Sequence, residues 1–253
     1  MSDSTQVRST QTLSDDTDTL STRRPGRSRS CHCIGCPANG RGVLASLIGD
    51  SAQACRMDSV ALEPGERVSD GMLARASFGI VWRGHLVRDR IDARGRRAAI
   101  DAAGPGCSFP IPHGVHANGR VGSAYALDRV LLCLGRTPDV TRALQDGGAT
   151  AVDVHRLDAE AVSRMERLAE ARARPGSTPK LAALLCALAD TLRPEGCGDA
   201  RVPAAFSQRD LAALVSLRHE SVCRAMGALV RAGLVTKDGD GIRIVDRAGL
   251  EAM

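Results

Sequence analysis

The chain has 253 residues, a formal net charge of +5, 43% hydrophobic and 25% charged residues, which is ordinary globular usage with room for one large domain or two small ones. Aromatic residues make up only 2%, the whole set being Trp82, Tyr125, Phe78, Phe109 and Phe206. That poverty argues against a single-strand nucleic-acid module, which needs several stacking platforms, and against an aromatic-lined cleft. The mild positive charge permits a polyanionic partner without requiring one. The longest apolar run, Leu181 to Ala189, is far short of the roughly 20 residues of a membrane span.

Residues 1–30 contain Met1, Val7, Leu13 and Leu20 as their only large apolar groups, scattered among Ser, Thr, Asp and Arg. They lack the continuous apolar stretch of a signal peptide and are expected to form a disordered tail of a cytoplasmic protein. Nine cysteines in a reducing compartment then point to metal or redox chemistry more than to disulfides. Residues 31–56 form a cysteine-rich segment opened by Cys31-His32-Cys33-Ile34-Gly35-Cys36.

Residues 57–140 read as short strands separated by turns. Glu63-Pro64-Gly65-Glu66 opens the region, and Val81 to Val87 reads as a strand bent or turned at Gly84. Ala93-Arg94-Gly95-Arg96 is a hairpin-type turn before Ala98, Ile100 and Ala102 in alternation. Gly104-Pro105-Gly106 ends that strand, and Ser123 to Leu134 is expected as one further strand. Turn signals about every ten residues suggest an antiparallel sandwich or roll.

Residues 141–175 change to a period of 3.6. Val154, Leu157, Ala161, Met165 and Leu168 form a narrow apolar seam, suited either to a homodimer stalk or to packing on the chain's own domain. Pro175-Gly176 breaks the helix. In 176–253, Ser207-Gln208-Arg209-Asp210 resembles a capping box opening a short helix that turns Leu211 and Leu214 inward. After Val215-Ser216-Leu217 comes a second helix, Arg218 to Ala232, with Val222, Met226 and Leu229 on one side and Gly233 at its end. Asp238-Gly239-Asp240-Gly241 then joins two short strands. Helix, tight turn, helix and β-wing make a winged helix-turn-helix, which sets the N-terminal residues of its second helix at base edges in the major groove.

From about Cys31 onward the chain resembles the CRP/FNR family of transcription regulators, with an FNR-like cast. The resemblance rests on the glycine turns of Glu63 to Gly106, on Ser123-Ala124-Tyr125-Ala126-Leu127, and on Glu220-Ser221-Val222-Cys223-Arg224, similar to the family's E-[ST]-[VI]-x-R signature. It implies an α+β fold: a cyclic-nucleotide-binding-like β-roll, a long dimerisation helix and a C-terminal winged helix-turn-helix. The implied function is a dimeric regulator, not an enzyme, with double-stranded DNA and RNA polymerase as partners and no membrane association. Arg224 can offer a fork to guanine and Glu220 can accept from cytosine, and their i, i+4 spacing sets both on one helix face. Such a pair is also a common surface ion pair. Ser221, His219 and Cys223 flank them, and the resemblance places Gln208 and Arg209 at phosphate. A palindrome with TGA/TCA cores is the implied operator.

Cyclic-nucleotide binders of this type hold the cyclic phosphate with an Arg-Ser pair. Gly122-Ser123 stands there instead, and Arg120 lies roughly 7 Å along the strand. Cyclic AMP is therefore not the expected effector. The FNR branch carries a cysteine cluster ahead of the roll and one remote cysteine, matched here by Cys31, Cys33, Cys36 and Cys133. In strand alternation Cys133 points opposite to Leu132 and Leu134. Four thiolates suit a [4Fe–4S] cluster sensing oxygen, nitric oxide or redox state. Asn39-Gly40-Arg41-Gly42 occupies the place of the family's further cysteine, so Cys31 is the preferred fourth ligand and Cys55 the reserve. Zinc, a thiol switch, a roll that binds haem or another small ligand, and a metal or thiol redox protein are the competing readings.

Overall fold

In the computed structural model, the described residues are 57–68, 75–91, 97–111, 123–138, 141, 145, 149–192 and 200–253. The tail 1–30, the segment 31–56 and with it Cys31, Cys33, Cys36 and Cys55 lie outside the described residues.

Seven strands build the N-terminal roll: β1 (Met57–Leu62), β2 (Ala76–Arg83), β3 (Leu86–Ile91), β4 (Arg97–Ala103), β5 (Ser108–Pro110), β6 (Ser123–Ala126) and β7 (Val130–Arg136). They form two antiparallel sheets, ordered β1-β7-β2-β5 and β4-β3-β6. Val60, Val81, Leu86, Ala103, Val130, Leu132 and Leu134 meet in the core between them. Alternation sends the neighbouring residues Val87, Ala99 and Ala102 to the opposite face of the second sheet, where they join a different core.

The expected single strand from Ser123 to Leu134 is two strands in different sheets. Asp128 turns the chain between them, its carboxylate accepting from the His85 backbone N–H at 2.6 Å and pairing with His85 Nδ1 at 2.7 Å. Gly84 makes the opposing corner at φ +82°, and a Cβ there would stand 2.4 Å from the Arg129 carbonyl oxygen. Only glycine fits that approach.

A 25-residue helix, α1 (Ala149–Ala173), follows and packs on β4, β5 and α2 (Ser177–Leu192). Gly176, at φ +82°, breaks the two helices apart. The apolar run Leu181 to Ala189 is the core of α2, most of whose side chains are buried. Among the described residues no helix is long and apolar enough to cross a membrane.

The seam read from the period of α1 lies inside the chain. Val154, Leu157, Ala161 and Leu168 are buried within a single copy, and Met165 is half-buried. The reason is that the roll itself claims this stripe: Ser108 donates to the Leu157 carbonyl at 3.0 Å, and Arg164 reaches Asp101 in β4. The face left in solvent runs instead through Val152, His155, Ala159, Val162, Glu166, Ala169 and Ala173, at alternating steps of three and four. Val152 is 58% exposed and Val162 46%.

The last unit comprises β8 (Arg201–Pro203), α3 (Gln208–Leu214), α4 (His219–Arg231), β9 (Val235–Asp238), β10 (Gly241–Ile244) and α5 (Arg247–Glu251). Its three strands form one antiparallel sheet in the order β8-β10-β9, so the expected hairpin gains a third strand from upstream. Arg201 ties that strand to the turn by ion pairs with Asp238 at 2.7 Å and Asp240 at 3.3 Å. The core of this unit is continuous with Val87, Ala99 and Ala102 on the outer face of the roll.

Candidate nucleic-acid interface

Helix α3 begins at a complete capping box. The Asp210 N–H donates to Ser207 Oγ at 3.2 Å, and the Ser207 N–H donates to Asp210 Oδ2 at 3.0 Å. Leu211, Ala212 and Leu214 turn inward. The tight turn that follows holds Ser216 at φ +54°, the one non-glycine residue with positive φ among the described residues. Helix α4 then buries Val222, Ala225, Met226 and Leu229. With four inward residues on a 3.6 period, the opposite face is forced outward.

That outward face carries the predicted readers. Glu220 and Arg224 are both exposed, and among the described residues neither has a hydrogen-bond or ion-pair partner. They do not neutralise each other as a surface pair would. Arg218, the N-cap of α4, offers no side-chain hydrogen bond to the first turn, so the helix start is open to an anion. Arg209 is exposed in the first turn of α3, and so are Lys237 and Arg243 on the wing.

Cys223 and His219 lie on the same face, with Cys223 Sγ 3.6 Å from His219 Nε2. The Cys223 thiol donates to Gln208 Oε1 at 2.8 Å, tying the first turn of α3 to the second helix. Ser221 is half-buried next to them. All seven residues singled out in the sequence for nucleic acid therefore gather on α4 and the start of α3.

The comparisons with known proteins agree with this geometry. Residues 179–253 match the family described as the Crp-like helix-turn-helix domain. FixK2 from Bradyrhizobium japonicum has a similar structure, with TM-score 0.63 and 18% identity over 78% of this chain and 96% of that one. A CRP/FNR-family transcriptional regulator from Thermus thermophilus is 27% identical with TM-score 0.51, over 77% of this chain and 96% of that one. Residues 179–253 are thus a Crp-like helix-turn-helix domain, and the described residues share the fold of these solved structures. A cyclic nucleotide-binding domain containing protein from Listeria monocytogenes aligns at TM-score 0.62 and 14% identity, over 82% of this chain and 98% of that one. No curated protein matches by sequence.

Charged groups occupy the junction of roll and long helix. Asp101 is 1% exposed and takes Arg88 Nη1 at 3.4 Å and Arg164 Nη2 at 3.3 Å. Arg164 also donates to the Ser108 carbonyl. Burial pulls the Arg88 guanidinium down from its ordinary pKa. Burial acts the same way and most strongly on Arg164, but the charge and hydrogen bond of Asp101, together with Cys107 and Glu160, outweigh it and hold the group up. Ser123, in the place of the family's phosphate-holding pair, accepts from Arg67 Nη1 at 2.5 Å.

Cys133 is a buried cysteine outside any disulfide among the described residues, on β7 opposite Ser59 of β1 and Ile80 of β2. Its neighbours Leu132 and Leu134 belong to the roll core while Cys133 does not, so it faces the other side of the sheet. Of the expected ligands it alone is described. Among the described residues no group of three metal-ligating side chains comes together.

Sequence reasoning missed three residues that join roll and reading unit. Tyr125 on β6 donates to Asp210 Oδ1 at 3.0 Å. Arg172, in the last turn of α1, donates from Nε to the Leu214 carbonyl at 2.7 Å and from Nη2 to the Ala99 carbonyl. His85 meets Phe206 edge-on, with ring centroids 5.9 Å apart. No local signal marks such contacts, because their partners lie up to 121 residues apart in sequence.

Proposed function

We propose that this protein is a homodimeric, sequence-specific transcription regulator of FNR type that reads a palindromic operator with TGA/TCA cores. The observation that carries the reading is the unpaired, exposed Glu220 and Arg224 one turn apart on the second helix of a Crp-like helix-turn-helix. In that position the Arg224 fork meets guanine O6 and N7, and Glu220 accepts from cytosine N4. Cys223, Ser221 and His219 border the contacted bases. Arg209, the uncapped start of α4 and the wing residues Lys237 and Arg243 meet phosphate, and Gln208 joins them from the first turn of α3.

Dimerisation is supported by the exposed stripe of α1. Val152, Ala159, Val162, Ala169 and Ala173 recur at the spacing of a coiled-coil seam. Two copies joined there present two reading helices to half-sites about one helical turn apart, roughly 34 Å. RNA polymerase is the proposed protein partner and the cytoplasm the proposed location.

The proposed signal is oxygen or nitric oxide, received by a [4Fe–4S] cluster on Cys31, Cys33, Cys36 and Cys133, with Cys55 in reserve. The orientation of Cys133 away from the roll core supports its part in that set. Bound there, the cluster supplies a group that such oxidants attack. Cys133 sits opposite Ser59 of β1, the first strand after the cysteine-rich segment in sequence. The roll reaches the long helix through Asp101 and Arg164, which gives the sensor a buried connection to the dimer element.

Replacing Arg224 with Ala tests the reading. Specific affinity for an operator selected from random DNA is expected to fall by about 1–3 kcal/mol, with relaxed preference at one base pair of each half-site. Unchanged affinity and preference would refute the assignment of α4.

A further inference from the structure

Side-chain contacts dock the recognition unit on the roll. Tyr125, the sole tyrosine, sits on β6 with its ring under Arg67, whose Cζ lies 5.2 Å from the ring centroid. Arg67 is itself fixed by a fork to Asp89, at 3.2 Å and 2.7 Å, and by Ser123. Held in this way, the phenol donates across the domain boundary to Asp210 Oδ1. The other oxygen of Asp210 accepts from Ser207 and caps α3. Gln208, two residues before Asp210 on the same turn, accepts from Cys223 on the reading helix. A continuous run of contacts therefore leads from the roll to the base-reading face. Arg172 adds a second connection, holding the carbonyls of Ala99 in the roll and Leu214 in α3 at once. Glu220 and Arg224 stay exposed while these contacts are made, so the docked unit presents its reading face.

We infer that Tyr125 is a positioning residue for DNA recognition, which acts through Asp210 to fix the angle at which each copy offers its reading helix. The inference rests on the DNA-reading function proposed above. It differs from a merely structural role in one measurable respect. A residue that sets angle governs how strictly two half-sites must be spaced, and leaves the affinity for one half-site alone. A residue that only supports the fold lowers both together.

The test compares the full-length wild type with Tyr125→Phe, which removes only the hydroxyl and keeps the ring beneath Arg67. Fluorescence anisotropy measures binding to four DNAs: a palindrome selected by the wild type, the same palindrome with its half-sites moved by one base pair, the same moved by two, and an isolated half-site. Wild type is expected to discriminate sharply among spacings. Tyr125→Phe is expected to lose about tenfold of that discrimination, as befits a lost hydrogen bond to a charged acceptor, with half-site affinity unchanged. Retained discrimination in a folded Tyr125→Phe would overturn the inference, and so would a parallel fall in half-site affinity. If Tyr125→Phe does not fold, Arg172→Gln, which loses both carbonyl contacts, must relax the spacing preference in the same direction or the inference fails. A wild type that prefers no palindrome over scrambled DNA would instead sink the DNA-reading proposal itself.

Discussion

Replacing Asp101 with Asn keeps the shape of the side chain and removes a carboxylate shared by Arg88 and Arg164. Each guanidinium lies about 3.4 Å from it. At an effective dielectric of about 20, one such pair attracts by roughly 5 kcal/mol. Part of that attraction offsets the cost of taking the charges out of water, and part is cancelled by repulsion between the two arginines. What remains on deleting one partner of a buried pair is typically about 3–5 kcal/mol, because the surviving charges stay buried. The midpoint of thermal unfolding is then expected to fall by roughly 10 °C. Urea denaturation followed by circular dichroism reads the free energy directly. Combining Asp101→Asn with Arg164→Met should cost less than the two changes added separately, since they act on one contact. A loss under about 1 kcal/mol, or strict additivity, would refute the account of Asp101 as the tie between roll and long helix.

Two other outcomes are expected. Because Tyr125 is the only tyrosine, phenolate absorbance at 295 nm reports on it alone. Burial first, and then the Asp210 charge, push its pKa well above the ordinary value of about 10. The neutral phenol is the form the fold prefers, so its contribution to stability is complete below about pH 10 and is lost as the pH climbs beyond that. A native protein titrating near pH 10 would contradict the contact with Asp210. For the sensor, protein purified without oxygen is expected to hold iron and acid-labile sulfide in near-equal amounts, well above one per chain, and to lose both in Cys133→Ala. Zinc alone would sink the cluster proposal.

The reading unit was legible in the sequence because its signals are local. The capping box at Ser207 and Asp210, the glycine after α4 and the Asp-Gly-Asp-Gly turn each act within a few residues, and the structure has them where expected. The stripe Val154 to Leu168 was harder. A period of 3.6 says that a face is buried but not what covers it, and here the roll covers it. Asp128 hid a strand break inside a run of β-compatible residues, because its partner His85 is 43 residues away. The contacts of Tyr125 with Asp210 and of Arg172 with Ala99 join elements far apart in the chain and left no periodic trace.

The joint between α1 and α2 consists of Arg174, Pro175 and Gly176 alone. Three residues extend at most about 10 Å, so a reading unit that let go of the roll could not diffuse far from it. So short a tether keeps the local concentration of each surface for the other in the millimolar range or above. Contacts of only millimolar strength then suffice to keep the unit docked most of the time. The joint therefore allows the docked and loosened arrangements to lie close in free energy, within reach of a modest signal from the roll.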